Sequence, residues 1–134
     1  MTADIRASAL RTVATERAGL DTLHDALANG MGEAFAAAVA MIRAAGGRVI
    51  VSGMGKSGHV GRKIAATLAS TGTPAHFVHP AEASHGDLGM VQPEDVVIAL
   101  SWSGETAELA AIVGHTRRFR VGLIAITANA DSAL

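Results

Sequence analysis

Four short apolar runs, separated by segments with helical spacing, constrain most strongly what this chain can fold into. The runs are RVIVS (48–52), AHFV (75–78), DVVIAL (95–100) and VGLIAIT (121–127). Three of them are apolar almost throughout, which is typical of strands buried on both faces of a parallel sheet. Apolar residues recur at helical spacing between the runs, at Val60, Ile64 and Leu68, then at Leu109, Ile112 and Val113. This alternation predicts an α/β fold in which helices flank a parallel sheet.

The residues before the first run predict two helices. Val13, Leu20 and Leu27 recur every seven residues, and Asn29-Gly30 would end the first helix. A second helix would carry Phe35, Val39 and Ile42 on one face and stop at Gly46-Gly47. We expect one domain over residues 1–134, with helices in 1–46 and the sheet with its loops in 47–134. The first helix is expected to pack on another subunit in a dimer or tetramer, or alternatively on its own core.

Composition excludes several classes of protein. The 134 residues, 49% of them apolar, suffice for one core, and a net charge of −1 without a dense basic run argues against nucleic acid. The lack of cysteine excludes disulfides and thiolate sites. We expect a cytoplasmic protein without a membrane segment or secretory signal. Because TANADSAL (127–134) reads as the start of a helix capped at Asp131-Ser132, we also expect the domain to be truncated at its carboxyl end.

A glycine-rich loop follows the first predicted strand, in VSGMGKSGHVGRK (51–63). Its spacing matches the dinucleotide fingerprint G-x-G-x-x-G, and the start of a helix there favours an anion. A triphosphate loop is excluded because Ile50 stands where that motif needs glycine. A dinucleotide enzyme would need an acidic residue at the end of the next strand, which instead reads FVHP, with Glu82 only beyond it. A glycine-rich turn without any ligand is the plainer alternative.

A second polar loop, SWSGET (101–106), lies at the next junction between a strand and a helix. Ser101, Ser103 and Thr106 place three hydroxyls around Gly104, and such donors at a helix start can hold a phosphate monoester. Helix capping by Ser103 is the alternative interpretation. The helix is expected to begin at Ala107, with Glu105 and Glu108 on neighbouring positions of one face and Glu105 complementing its dipole.

These motifs together resemble the sugar isomerase (SIS) domain, and within it the arabinose-5-phosphate isomerase family. The resemblance is carried by GMGKSGHVGRK, by HPAEASHGDLGM and by the S-x-S-G-E-T loop, and it covers nearly the whole chain. It implies a flavodoxin-like three-layer sandwich with a five-stranded parallel sheet, usually in a tetramer and often followed by a paired CBS module. It also implies interconversion of D-arabinose 5-phosphate and D-ribulose 5-phosphate, which supplies the synthesis of Kdo and lipopolysaccharide.

The resemblance further implies the roles of individual residues. Catalytic roles fall to Lys56 and Glu108. Substrate or phosphate contacts fall to Gly55, Ser57, Gly72, Thr73, His79, His85, Ser101, Ser103, Gly104 and Thr106. No cofactor is required, and His79 is the ligand expected for an inhibitory zinc. Trp102 departs from the family, since such proteins usually carry Asn, Thr or another polar residue there, and a ring pointing inward would narrow the sugar pocket.

The implied chemistry suits these groups. Moving a proton between C1 and C2 of a pentose 5-phosphate through an enediolate needs a base and donors that stabilise an oxyanion. Two other classes stay open from the residues alone. One is a non-catalytic sugar-phosphate-binding regulatory module, and the other is a nucleotide-binding enzyme that uses the glycine loop.

Overall fold

The computed structural model describes the backbone of residues 2–134 and the side chains from residue 4 onward, in two compact units. The first unit runs to Ala40 and the second from Met41 to Leu134. Helix α1 spans Thr2–Asn29 and helix α2 spans Gly32–Ala44. Both predicted N-terminal helices are therefore confirmed, and α2 ends two residues before the expected Gly46-Gly47. No helix within the described residues is long and apolar enough to span a membrane.

The second unit contains a four-stranded, fully parallel sheet. Its strands are β1 (Val49–Gly53), β2 (Ala75–Phe77), β3 (Val96–Leu100) and β4 (Gly122–Ile126), in the order β2-β1-β3-β4. Val49 pairs with Ala75 on one side and with Val96 on the other, and Val96 pairs with Gly122. The four predicted strands and the fold class are confirmed, whereas the fifth strand that the resemblance implies does not occur among the described residues.

Helices cover both faces of the sheet. They are α3 (Gly55–Ser70), α4 (Pro80–Ser84) and α5 (Ala110–Phe119), with 3-10 turns at Asp87–Met90 and Ala107–Leu109. Ile50 and Val97 pack with Ile112 of α5 on one face, whereas Val51 and Ile98 pack with Ala65 of α3 on the other. Alternate residues of each central strand thus enter separate cores, which gives three layers.

The edge strand β4 departs from the sequence-based expectation. β1 and β3 are buried along their whole length, but Ala125 and Ile126 of β4 are exposed. The prediction that the strand is buried on both faces is therefore wrong for its carboxyl end. An apolar run does not distinguish a central strand from an edge strand, because that depends on which strand lies next to it.

The topology brings two loops together. β1 and β3 are neighbours, and the helices that follow them, α3 and α5, lie on opposite faces of the sheet. The carboxyl ends of two such strands frame a crevice at the switch point of the sheet, the place where the order of the strands reverses. Open α/β sheets bind their ligands in this crevice. The loops at 53–55 and 101–106 both lie at this edge.

Candidate functional site at the switch point of the sheet

The loop after β1 brings the start of α3 directly to the sheet edge. Gly55 has a φ of +52°, a conformation that glycine adopts without strain. A Cβ at position 58 would lie 2.6 Å from the Gly53 carbonyl oxygen, so only glycine lets the helix start this close to the strand. The third glycine of the fingerprint therefore serves helix–strand packing. Met54 provides no side-chain cap to the helix, whose first N–H groups have no partners within it.

The loop after β3 is organised by its own hydroxyls. Ser101 is buried, and its Oγ accepts a hydrogen bond from the Gly104 N–H at 3.0 Å. The same oxygen lies 2.7 Å from Thr106 Oγ1. Because this pair uses one hydroxyl hydrogen, the other hydroxyl keeps one that it can donate to a ligand. Ser103 is exposed, and its Oγ accepts from the Glu105 N–H at 3.1 Å.

The acidic residues of this segment do not share a helix face. Regular α-helix begins at Ala110, Glu108 lies on the preceding 3-10 turn, and Glu105 precedes both. The Glu105 carboxylate accepts a hydrogen bond from the Ala133 N–H at 2.8 Å. The prediction that both carboxylates occupy one helix face is therefore wrong. Glu105 holds the chain after β4, and Glu108 is exposed.

A cavity of about 320 Å³ lies between these loops and the end of β4. Lys56 and Ser57 from α3 face Ser101 across it. Within the described residues, neither a hydrogen bond nor a salt bridge engages the Lys56 ammonium or the Ser57 hydroxyl. The cavity thus combines one free cation with hydroxyl donors at the switch point.

The remaining hydroxyls of the second loop lie elsewhere. Thr106 and Gly104 line an adjacent cavity of about 340 Å³ on the side of α5, where Arg117 and Leu134 also contribute. Ser103 lines neither of these cavities. Sequence reasoning placed all four hydroxyls around one ligand, whereas the structure brings Ser57 and Ser101 together and joins Thr106 to them through its hydrogen bond with Ser101.

The histidines and the Gly72–Thr73 pair occupy other places. His79 lines a third cavity, of about 170 Å³, together with Gly55 and Arg62. His85 is exposed at the carboxyl end of α4. Gly72 and Thr73 precede β2 and therefore lie at the amino edge of the parallel sheet, opposite the two loops.

The surroundings of His79 do not fit a resident zinc. The Ala81 N–H donates to His79 Nδ1 at 3.3 Å, so a neutral ring carries its hydrogen on Nε2 and has no lone pair there for a metal. No group of three potential ligands gathers anywhere in the part of the chain that is described. A structural zinc needs four protein ligands and a catalytic zinc usually three. Inhibition by zinc at His79 stays a prediction.

Sequence reasoning missed the contribution of β4. Ile126 at the end of β4 and the following Thr127 and Ala128 also line the cavity with Lys56, as does Val60 of α3. Thr127 Oγ1 and the Ala128 N–H both donate to the Trp102 carbonyl oxygen, at 3.3 and 3.0 Å. The signal was present in VGLIAIT, because its final residues come to the same edge as the ends of β1 and β3.

A three-layer parallel sheet with two polar loops at its switch point defines a class of α/β ligand-binding domains. The sequence profile of the SIS domain matches residues 41–134, and the chain belongs to this family. It is 55% identical over 127 residues to the arabinose 5-phosphate isomerase KdsD of Pseudomonas aeruginosa, covering 95% of this chain and 38% of that protein. It is 61% identical over 88 residues to KdsD of Escherichia coli, covering 66% and 27% of the two chains.

A solved structure shares the fold. A protein of Escherichia coli CFT073, in complex with arabinose 5-phosphate, superposes with a TM-score of 0.77 at 44% identity. The match covers 86% of this chain and 61% of that one. Our chain thus spans well under half the length of the curated relatives it matches.

Proposed function

We propose that the protein to which this chain belongs interconverts D-arabinose 5-phosphate and D-ribulose 5-phosphate. In this proposal the chain supplies the loops that hold the sugar phosphate. The observation that carries it is the shared cavity of Lys56, Ser57 and Ser101 at the switch point of the sheet. The 55% identity to an arabinose 5-phosphate isomerase supports the choice of substrate.

The phosphate end of the substrate binds between the two loops. The first N–H groups of α3, next to Gly55, point toward this edge and favour an anion through the helix dipole. Ser57 and the Ser101–Thr106 hydroxyl pair add neutral donors. Gly104 shapes this loop through its hydrogen bond to Ser101, and Ser103, which does not line the cavity, is proposed to reach the anion with its hydroxyl. Lys56 supplies the positive charge.

The reaction moves a proton from C2 of the aldose to C1. A base removes the C2 proton, and the electron pair forms the C1–C2 double bond of an enediolate whose negative charge rests on O1. The proton returns to C1, while the O2 hydroxyl hydrogen passes to O1, which leaves the ketose carbonyl at C2. Glu108 is the proposed base, although it is exposed and lines none of the three cavities. Lys56 acts on the phosphate in this arrangement, and stabilising the oxyanion at O1 is the alternative role of its ammonium.

The remaining residues act around the sugar. His79 and His85 are proposed to contact its hydroxyls. Gly72 and Thr73 lie at the opposite sheet edge, so a contact between them and this substrate would require a second copy of the chain.

The test is an isomerisation assay on the full-length natural protein. Arabinose 5-phosphate in deuterium oxide should yield ribulose 5-phosphate with deuterium incorporated at C1, as followed by NMR. Lys56→Ala should reduce turnover, whereas Lys63→Ala, on an exposed part of α3 that lines none of the three cavities, should not. Binding of the sugar phosphate without any turnover would instead favour a regulatory module, and no binding at all would contradict the proposal.

A further inference from the structure

Large apolar side chains border the same cavity that holds Lys56 and Ser57. Trp102 is 83% exposed, Val60 is 54% exposed and Ile126 is 49% exposed, and all three line this cavity. Each comes from a different element: Trp102 from the loop after β3, Val60 from α3 and Ile126 from the end of β4. The cation and the hydroxyls of the site therefore face an apolar wall.

The backbone of Trp102 is fixed although its ring is exposed. Its carbonyl oxygen accepts hydrogen bonds from the Ala128 N–H and from Thr127 Oγ1, at 3.0 and 3.3 Å. Its neighbour Ser101 is buried and donates its backbone N–H to the Ile126 carbonyl oxygen at 3.1 Å. These hydrogen bonds hold the backbone of Trp102 at the rim of the cavity, from which its side chain can reach a bound ligand.

The combination of charge and apolar surface fits a sugar phosphate. Such a ligand has a dianionic end, which Lys56 and the hydroxyls attract, and a carbon chain whose C–H groups can pack on an aromatic face. The cavity volume of about 320 Å³ lies near the lower limit of about 300 Å³ for ligand sites. Trp102 stands at the open rim of this cavity, so an additional carbon of a longer sugar would come up against its ring.

We infer that Trp102 is a specificity-determining residue of this site. With Val60 and Ile126 it forms an apolar wall that packs on the carbon chain of a bound pentose phosphate and excludes longer sugars. This inference rests on the proposed function, because it assumes that the sugar phosphate binds between the two loops. It extends that function by assigning chain-length selection to one side chain.

The experiment compares two substitutions in the full-length natural protein. The ratio of kcat/KM for arabinose 5-phosphate to kcat/KM for glucose 6-phosphate is measured for wild type, Trp102→Asn and Trp102→Phe. Trp102→Asn should lower this ratio about 10-fold, the scale on which an apolar pocket senses one extra carbon. Trp102→Phe keeps an aromatic wall and should stay within about 3-fold of wild type on the same scale. An unchanged ratio in Trp102→Asn would overturn the inference.

A second readout separates this inference from the proposed function. The emission spectrum of Trp102→Phe, subtracted from that of wild type, isolates the Trp102 signal. Arabinose 5-phosphate should change this difference spectrum, whereas inorganic phosphate, which lacks the carbon chain that would pack on the indole, should change it much less. Normal turnover with an unchanged difference spectrum and an unchanged kcat/KM ratio would contradict the proposed role of Trp102 but not the proposed isomerisation. A changed spectrum without turnover would overturn isomerisation alone, and the absence of both binding and turnover would overturn both.

Discussion

The hydroxyl oxygens of Ser101 and Thr106 lie 2.7 Å apart, and the Ser101 oxygen also accepts the Gly104 N–H. Ser101 is thus the residue that shapes the loop after β3. It directly follows the fully buried strand β3, so the loop begins at the carboxyl edge of the sheet. The loop hydroxyls are therefore not equivalent, and substitutions should distinguish them.

Ser103→Ala should weaken arabinose 5-phosphate binding modestly. Removing one neutral hydroxyl donor costs about 0.5–1.5 kcal/mol, which corresponds to a roughly 2- to 12-fold higher Kd. Ser101→Ala should weaken binding more, because it also releases the Gly104 N–H and Thr106. Isothermal titration of both variants measures the difference. Unchanged affinity in Ser103→Ala would remove this residue from the site, and equal losses would contradict the organising role of Ser101.

Glu108→Gln should lower turnover about 100-fold or more, the scale of a lost acid–base group. KM should change little, because the phosphate contacts remain. The matched control is Glu94→Gln, an exposed carboxylate that precedes β3 at the opposite edge of the sheet. Steady-state kinetics of the full-length protein provide the measurement. Near-normal turnover in Glu108→Gln would place the base outside this chain or on another of its residues.

Asp95→Asn should reduce the free energy of unfolding by about 2 kcal/mol, the range for hydrogen bonds to a charged group. The buried carboxylate accepts the Arg48 N–H at 2.6 Å and the Gln92 N–H at 2.9 Å, which ties the starts of β1 and β3 together. An amide side chain at this position would direct its own N–H group toward one of the two backbone N–H groups, and two donors cannot form a hydrogen bond with each other. Urea unfolding followed by circular dichroism measures the change.

Arg48→Ala should have a smaller effect than Asp95→Asn. The guanidinium Nη2 donates to the Met90 carbonyl oxygen at 2.9 Å and lies 3.7 Å from Asp95 Oδ2, and the Arg48 side chain is 42% exposed. Such an ion pair contributes about 1 kcal/mol or less. A larger loss in Arg48→Ala than in Asp95→Asn would contradict the view that the backbone donors hold the carboxylate.

The apolar side chains of α1 should contribute to assembly. Val13 and Leu20 are 66% and 67% exposed, and they lie seven residues apart on one side of the helix. The double substitution Val13→Glu with Leu20→Glu should reduce the oligomer size seen by light scattering, as should deletion of residues 1–30. Thr15→Glu with Thr22→Glu adds the same charge at the same spacing on another face and serves as the control. An unchanged oligomer in the first variant and in the deletion would contradict the interface.

The positions of the strands along the chain and their parallel type could be predicted from the sequence, because they follow from local patterns and from the helices between them. Runs such as DVVIAL favour strands, and Ser101 directly follows this run, so the parallel topology brings it to the edge of the sheet that also holds Ser57. The resemblance to the SIS domain followed from the same residues, and the family match bears it out.

Contacts between distant parts of the chain decided the rest. Glu105 lies before the helix, where its carboxylate meets the Ala133 N–H, and Thr106 lines a different cavity from Ser57. Gly72 and Thr73 lie at the amino edge of the sheet because α3 runs its full length before β2 begins. Trp102 joins the wall of the cavity because the end of β4 holds its carbonyl oxygen. The amino-acid sequence specifies which groups stand at each strand end, but their distances depend on packing between segments far apart in the chain.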